Sequence, residues 1–174
     1  MERCREGNFF ERNKNPDTGE SGRVNIGEKM AKKYFSSLSN WSIRQYGFNE
    51  ENAFKSGDKI SMDGFPRLPE VIRKTPDKIV FHHKFKSTII PYFLEVKTGR
   101  ETIGIKFCDF RAIKKWCKFS SMDCIIFAYS TYTRKHYSGL YNYWKDLITD
   151  IKPPIKRYYD NNKRYFDIPV DKIY

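Results

Sequence analysis

No apolar run in this 174-residue chain approaches the roughly 20 residues that a membrane-spanning helix requires. The longest, around Cys124 to Tyr129, is the length of a buried strand, so helical integral-membrane classes are excluded. The first residues, Met1-Glu-Arg-Cys-Arg-Glu-Gly-Asn, lack the apolar core of a secretory signal, and an intracellular, reducing location is expected, in a cytoplasm or a host cytoplasm. Cysteine is scarce: Cys4, Cys108, Cys117 and Cys124 form neither a C-x-x-C pair nor a Cys/His spacing suited to structural zinc, so they read as thiols. Acidic residues are few beside the basic ones, 21 against 33, leaving a net charge of +12.

The hydrophobic share of 39% and aromatic share of 17% argue for a folded core, and the length suits one domain. A basic surplus of this size points to a polyanionic partner, nucleic acid first, because Lys and Arg that neutralise phosphates release condensed counterions. The competing explanation is Lys used as surface filler, which keeps the chain soluble without a binding stripe.

Residues 1–24 are polar and aperiodic, with a turn at Asn15-Pro16-Asp17-Thr18-Gly19, and read as an arm ahead of a single domain over 25–174. Ile26, Met30, Tyr34 and Leu38, widened by Ala31 and Phe35, predict an amphipathic helix capped by Asn25. Trp41 to Gln45 predicts a strand; a helical turn is expected at Glu50 to Lys55, and residues 56–75 read as loop with a turn at Pro69 to Arg73. Asp77 to His83 and Ile89 to Lys97 predict a β-hairpin, followed by a short strand from Thr102 to Phe107. A helix capped by Asp109 and a central buried strand over Met122 to Ser130 come next. Ser138 or Gly139 is expected to open a helix that ends at Pro153-Pro154, and Tyr165 to Val170 reads as an edge strand. The order of elements is that of an α/β fold with a mixed sheet.

Pro76-Asp77 precedes Glu95-Val96-Lys97 by 18 residues. Residues two apart on a strand share a face, so Glu95 and Lys97 project together while Leu94 and Val96 face the core. In an antiparallel hairpin, Asp77 at the entry of one strand falls near the exit of the next, beside Glu95. Two carboxylates next to an ammonium make an oxygen-rich pocket for a hard divalent cation, which activates water and polarises phosphoryl oxygens, while Lys97 positions the nucleophile or stabilises developing charge. The alternatives are a solvent-facing Glu95–Lys97 pair and a plain turn residue at Asp77.

These residues resemble the PD-(D/E)xK nuclease superfamily, whose two motif halves match Pro76-Asp77 and Glu95-Val96-Lys97. The resemblance covers roughly residues 25 to 130, with the segment from Tyr165 to Val170 similar to a late strand of the same core. It implies a restriction-endonuclease-like α/β core in which a mixed central sheet is flanked by helices. It also implies Mg²⁺ or Mn²⁺ held by Glu28, Asp77, Glu95 and the main-chain carbonyl of Val96, with Asp77, Glu95 and Lys97 catalytic. It is similar to archaeal Holliday-junction resolvases, and the resemblance favours DNA over RNA and endonuclease or resolvase chemistry. A homodimer suits cutting of two symmetry-related backbones.

The motif halves also occur out of context, at Pro16-Asp17 in a polar turn and at Asp150-Ile-Lys152 at the end of a predicted helix. Glu28 has a second reading as the partner of Asn25 in a capping box. His82 and His83 are adjacent, point to opposite faces of a strand and read as structural. Some viral RNA endonucleases of the superfamily carry a His ligand on the early helix, and no His precedes residue 82 here. The expected nucleic-acid platform is Arg111, Lys114, Lys115 and Lys118 on the later helix, with Lys29, Lys32 and Lys33 near Glu28; the alternative is two solvated helix faces. Tyr129, Tyr132, Tyr137, Tyr141 and Tyr143, mixed with Arg134, Lys135 and His136, are candidates for base stacking. The function expected is a metal-dependent nuclease. The rivals are a non-catalytic nucleic-acid-binding module on a degenerate nuclease fold, an RNA endonuclease, and a structural protein.

Overall fold

The computed structural model describes residues 22–46, 75–84, 88–157 and 163–174. The expected turns at Pro16-Asp17, Glu50 to Lys55 and Pro69 to Arg73, and Cys4, lie outside the described residues, as does most of the expected N-terminal arm.

The chain runs α1 (Gly22–Ser37), β1 (Trp41–Gln45), β2 (Lys78–His83), β3 (Ile89–Gly99), β4 (Thr102–Lys106), α2 (Phe107–Ser120), β5 (Cys124–Ser130), β6 (His136–Leu140), α3 (Tyr141–Ile151), β7 (Ile155–Arg157), β8 (Arg164–Pro169) and a 3₁₀ turn at Val170–Lys172. It is a mixed α/β architecture. Five strands form the central sheet in the order β1-β2-β3-β5-β6, with β3 and β5 parallel and the other neighbours antiparallel. β4, β8 and β7 form a second, antiparallel sheet.

Every residue of β5 is buried, as a continuous apolar run in a central strand requires. Its side chains alternate between two cores. Ile125, Phe127 and Tyr129 join Val80 and Leu94 beneath Ala31 and Phe35 of α1. Cys124, Ile126 and Ala128 join Phe93 on the opposite face, covered by Ile113 of α2, Trp144, Leu147 and Ile148 of α3, and Ile103, Ile105 and Ile168 of the second sheet. Trp144 donates its indole N–H to the Ile126 carbonyl at 3.1 Å, which satisfies the one polar atom of an otherwise apolar contact. Pro91 stands inside β3 without breaking it. The Phe93 N–H bonds the Asp123 carbonyl, so the nitrogen of Pro91, two residues earlier, faces the same side before β5 begins, and no ladder bond is lost.

Several expectations are corrected. α1 begins at Gly22, not after Asn25, and its buried stripe is centred on Ala31 and Phe35, with Ile26 exposed. Asp109 does not cap α2: the helix starts at Phe107, and Lys106 holds the cap position without a side-chain bond. Ser138 and Gly139 lie in edge strand β6, and the helix opens at Tyr141. β8 is the middle strand of the small sheet rather than an edge of the large one. β7, unforeseen, is three exposed residues.

Candidate functional site

The site is built where β2 enters the central sheet. Lys78 pairs with Leu94, so the residue before it, Asp77, stands across from Glu95. The carboxylate of Asp77 accepts the Val96 N–H at 2.9 Å. N–H and C=O of one strand residue project to the same edge, so the Val96 carbonyl points toward Asp77 as well. Glu95 and Lys97 share the face of Phe93, under α2, and Leu94 and Val96 turn toward α1.

Lys97 Nζ lies 2.7 Å from Glu95 Oε1 and 3.0 Å from Asp109 Oδ2. The three side chains keep only 15%, 12% and 13% of their exposure, which removes the reading of Glu95 and Lys97 as a solvent-facing pair. Cys108 Sγ donates to the other oxygen of Asp109 at 3.4 Å. The sequence marks Asp109 only as a helix cap; its proximity to Lys97 depends on how β4 carries the chain from β3 into α2, which no local pattern encodes.

Glu28 approaches from the other face. Gly27 brings α1 against β3 so closely that a Cβ there would lie 2.0 Å from Thr98 Oγ1 and 3.3 Å from Val96 Cγ1. This contact sets Glu28 next to the entry of β2, where its Oε2 accepts a bond from Lys78 Nζ at 2.8 Å. With α1 starting at Gly22, Asn25 stands inside the helix rather than at its cap position, and Glu28 is past the first turn. Asp77, Glu95 and Lys97 are thus brought together, while Glu28 is held in an ion pair at their border.

Burial, then the Glu95 charge, pushes the Asp77 carboxyl up to about 8, against the pull of Lys97 and the Val96 N–H; Glu28 adds to the rise. Burial disfavours the Lys97 ammonium, but Asp109, Glu95 and Asp77 outweigh it and hold its pKa well above the ordinary value. Lys97 is therefore a fixed positive charge at neutral pH. Three carboxyl groups face one ammonium, an excess of two negative charges when all are ionised, and a divalent cation matches that excess. The donors are hard oxygens, which suit Mg²⁺ or Mn²⁺, ions that take one or two protein carboxylates and keep their remaining waters. Among the described residues no group of three or more His, Cys, Asp or Glu side chains is placed to hold a metal, so a fit rests on Asp77, Glu95 and the Val96 carbonyl.

The basic residues expected to bind nucleic acid are exposed but do not make one platform. Arg111, Lys114, Lys115 and Lys118 lie on α2, over the face that carries Glu95 and Lys97; Lys29, Lys32 and Lys33 lie on α1, over the opposite face. The tyrosines largely serve the interior. Tyr129 is buried, Tyr141 packs on Phe110 at 4.5 Å, and Tyr143 donates to the Tyr174 carbonyl; of the group, Tyr132 is the one strongly exposed. His136 stacks on Phe127 and meets Tyr34 at a tilt, with ring centroids 4.5 Å apart. His82 stacks on Trp41 and bonds Asn40, and His83 bonds Ser42. Cys108, Cys117 and Cys124 are free thiols.

No family model matches this chain, and no curated protein does. Among solved structures it is similar to a nuclease from a fusselovirus, at 13% identity and a TM-score of 0.41, over 87% of this chain and 79% of that one. No helix of the described residues is long and apolar enough to cross a membrane.

Proposed function

We propose that this chain is a divalent-cation-dependent nuclease of PD-(D/E)xK type that hydrolyses phosphodiester bonds. DNA is the favoured substrate, by resemblance to Holliday-junction resolvases. The observation that carries the reading is the convergence of Asp77 and Glu95 on one face of a hairpin, buried beside an ammonium that cannot neutralise both. Isolated buried carboxylates are costly and are retained where a cation or a reaction uses them.

Asp77, Glu95 and the Val96 carbonyl are the groups to hold Mg²⁺ or Mn²⁺, which when bound would lower the pKa of a water and polarise the phosphoryl oxygens. Lys97, kept protonated by its three acidic neighbours, is unsuited to be a general base. It donates hydrogen bonds, orienting the attacking water and countering charge that builds on the phosphoryl oxygens. Arg111, Lys114, Lys115 and Lys118, on the same side of the sheet, guide the phosphate backbone toward that point. Glu28, paired with Lys78, fixes the entry of β2 and hence Asp77.

The test is incubation with branched, duplex and single-stranded DNA and with RNA, in Mn²⁺ or in EDTA, beside Asp77→Ala and Lys97→Ala. Cleavage is expected only with the metal, and to drop by about 100-fold or more in both variants. Salt-sensitive binding without cutting in any metal would make the chain a binding module, and preferential cutting of RNA would replace DNA as the substrate.

A further inference from the structure

We propose that Asp109 is a positioning residue that holds the Lys97 ammonium so that Glu95 stays available to a divalent cation, an inference that rests on the nuclease reading above. Lys97 Nζ is shared between Glu95 Oε1 at 2.7 Å and Asp109 Oδ2 at 3.0 Å. An ammonium that close competes with a metal ion for the same carboxylate oxygen. Without Asp109, the acids left around Lys97 are Glu95 and Asp77, the two a cation would need, and Lys97 would close on Glu95 and keep it, since these side chains are nearly shielded from water and no solvent shell could take up the freed charge. Asp109 supplies a further anion, so Lys97 retains a strong partner when Glu95 turns to a cation.

The placement of Asp109 supports this role. It is the acid in the first turn of α2, where the unpaired N–H groups of a helix favour a carboxylate. The Cys108 Sγ–H bond to its other oxygen fixes its orientation. α2 itself is anchored through Ile113 in the core and through Trp116 edge-on to Phe93 at 5.8 Å, so the carboxylate is carried on a rigid element rather than a loop. Phe93 precedes Glu95 on the same face of β3, so one packing contact fixes the distance between the two acids that share Lys97.

The experiment measures Mn²⁺ affinity of the full chain by calorimetry and steady-state cleavage of DNA for wild type, Asp109→Asn, Asp109→Glu and the double variant Lys97→Met/Asp109→Asn. Loss of a group that orients a metal ligand costs roughly 10- to 100-fold. Asp109→Asn is expected to weaken Mn²⁺ binding by at least about tenfold and to lower kcat at saturating Mn²⁺, with KM for DNA unchanged, and Asp109→Glu recovers most of both. The double variant, which removes the competing ammonium, binds Mn²⁺ within about threefold of wild type and does not cut. It also keeps the proposal testable if Asp109→Asn does not fold, because weakening by more than about tenfold in the double variant overturns it. Full recovery of kcat in Asp109→Asn at high Mn²⁺ would show a through-space charge effect and overturn the positioning role. Wild type that binds and cuts, with Asp109→Asn identical, overturns this inference alone; wild type that binds no Mn²⁺ overturns the nuclease reading and this inference with it.

Discussion

If Asp77 must ionise to meet a cation, metal binding will release a proton. With its carboxyl pushed up to about 8, about nine in ten Asp77 side chains are protonated at pH 7. Binding of Mn²⁺ should then release about 0.9 proton per ion at pH 7, and the apparent affinity should fall about tenfold for each pH unit below 8. Calorimetry in two buffers of different ionisation enthalpy reads the released proton directly, and Asp77→Asn should abolish it. The same shift fixes the sign of the metal-free stability. The folded state holds this proton up to about pH 8, whereas the unfolded chain loses it near 3.8. The contribution is therefore complete below the lower value and is lost as pH rises toward the upper one. Wild type without metal should melt at progressively lower temperature from pH 5 to 8, relative to Asp77→Asn. Mn²⁺ affinity that is equal at pH 6 and pH 8, or binding without proton release, would refute the assignment of Asp77 as a buried ligand.

Two further outcomes follow from packing and charge. Gly27→Val places a branched side chain where Thr98 and Val96 already stand and should cost about 1–3 kcal/mol, read as a lower denaturation midpoint, while Lys29→Ala on the exposed side of the same helix should cost less than about 0.5 kcal/mol. Replacing Arg111, Lys114, Lys115 and Lys118 by Ala should lower the dependence of log K on log salt by up to about 0.9 per lost phosphate contact, and by more than replacing Lys29, Lys32 and Lys33; the reverse ranking in filter-binding titrations would put the substrate on the α1 face.

The parts of the fold that were legible in the sequence are those with local periodicity. The β2–β3 hairpin, the buried strand β5 and the pairing of Asp77 with Glu95 follow from alternation and from the connection at Lys84 to Thr88. The errors arise where distant chain decides. Asn25 has cap chemistry, yet α1 starts at Gly22, because caps are optional and packing against β3 sets the helix. Ser138 or Gly139 reads as a helix start because Leu140 is in phase with Trp144 and Leu147, but the free edge of β5 recruits His136 to Leu140 as strand β6. The small sheet has no local signature as a sheet: β7 is short and wholly exposed, and β4 finds β8 only across a long stretch of chain, Thr102 to Lys106 pairing with Tyr165 to Pro169. Asp109 was missed as a neighbour of Lys97 for the same reason.

β3 and β4 are separated by Arg100 and Glu101 alone, yet they belong to different sheets. The ribbon that carries Glu95 and Lys97 thus bends straight into a layer whose middle strand comes from much later in the chain. A chain lacking β8 would keep the hairpin but leave Ile103 and Ile105 uncovered. The two acids would still be side by side while the return path that delivers Asp109 lost its support. The Asp77–Glu95 pair rests on strands close in sequence, whereas the hold on Lys97 leans on a strand from far along the chain.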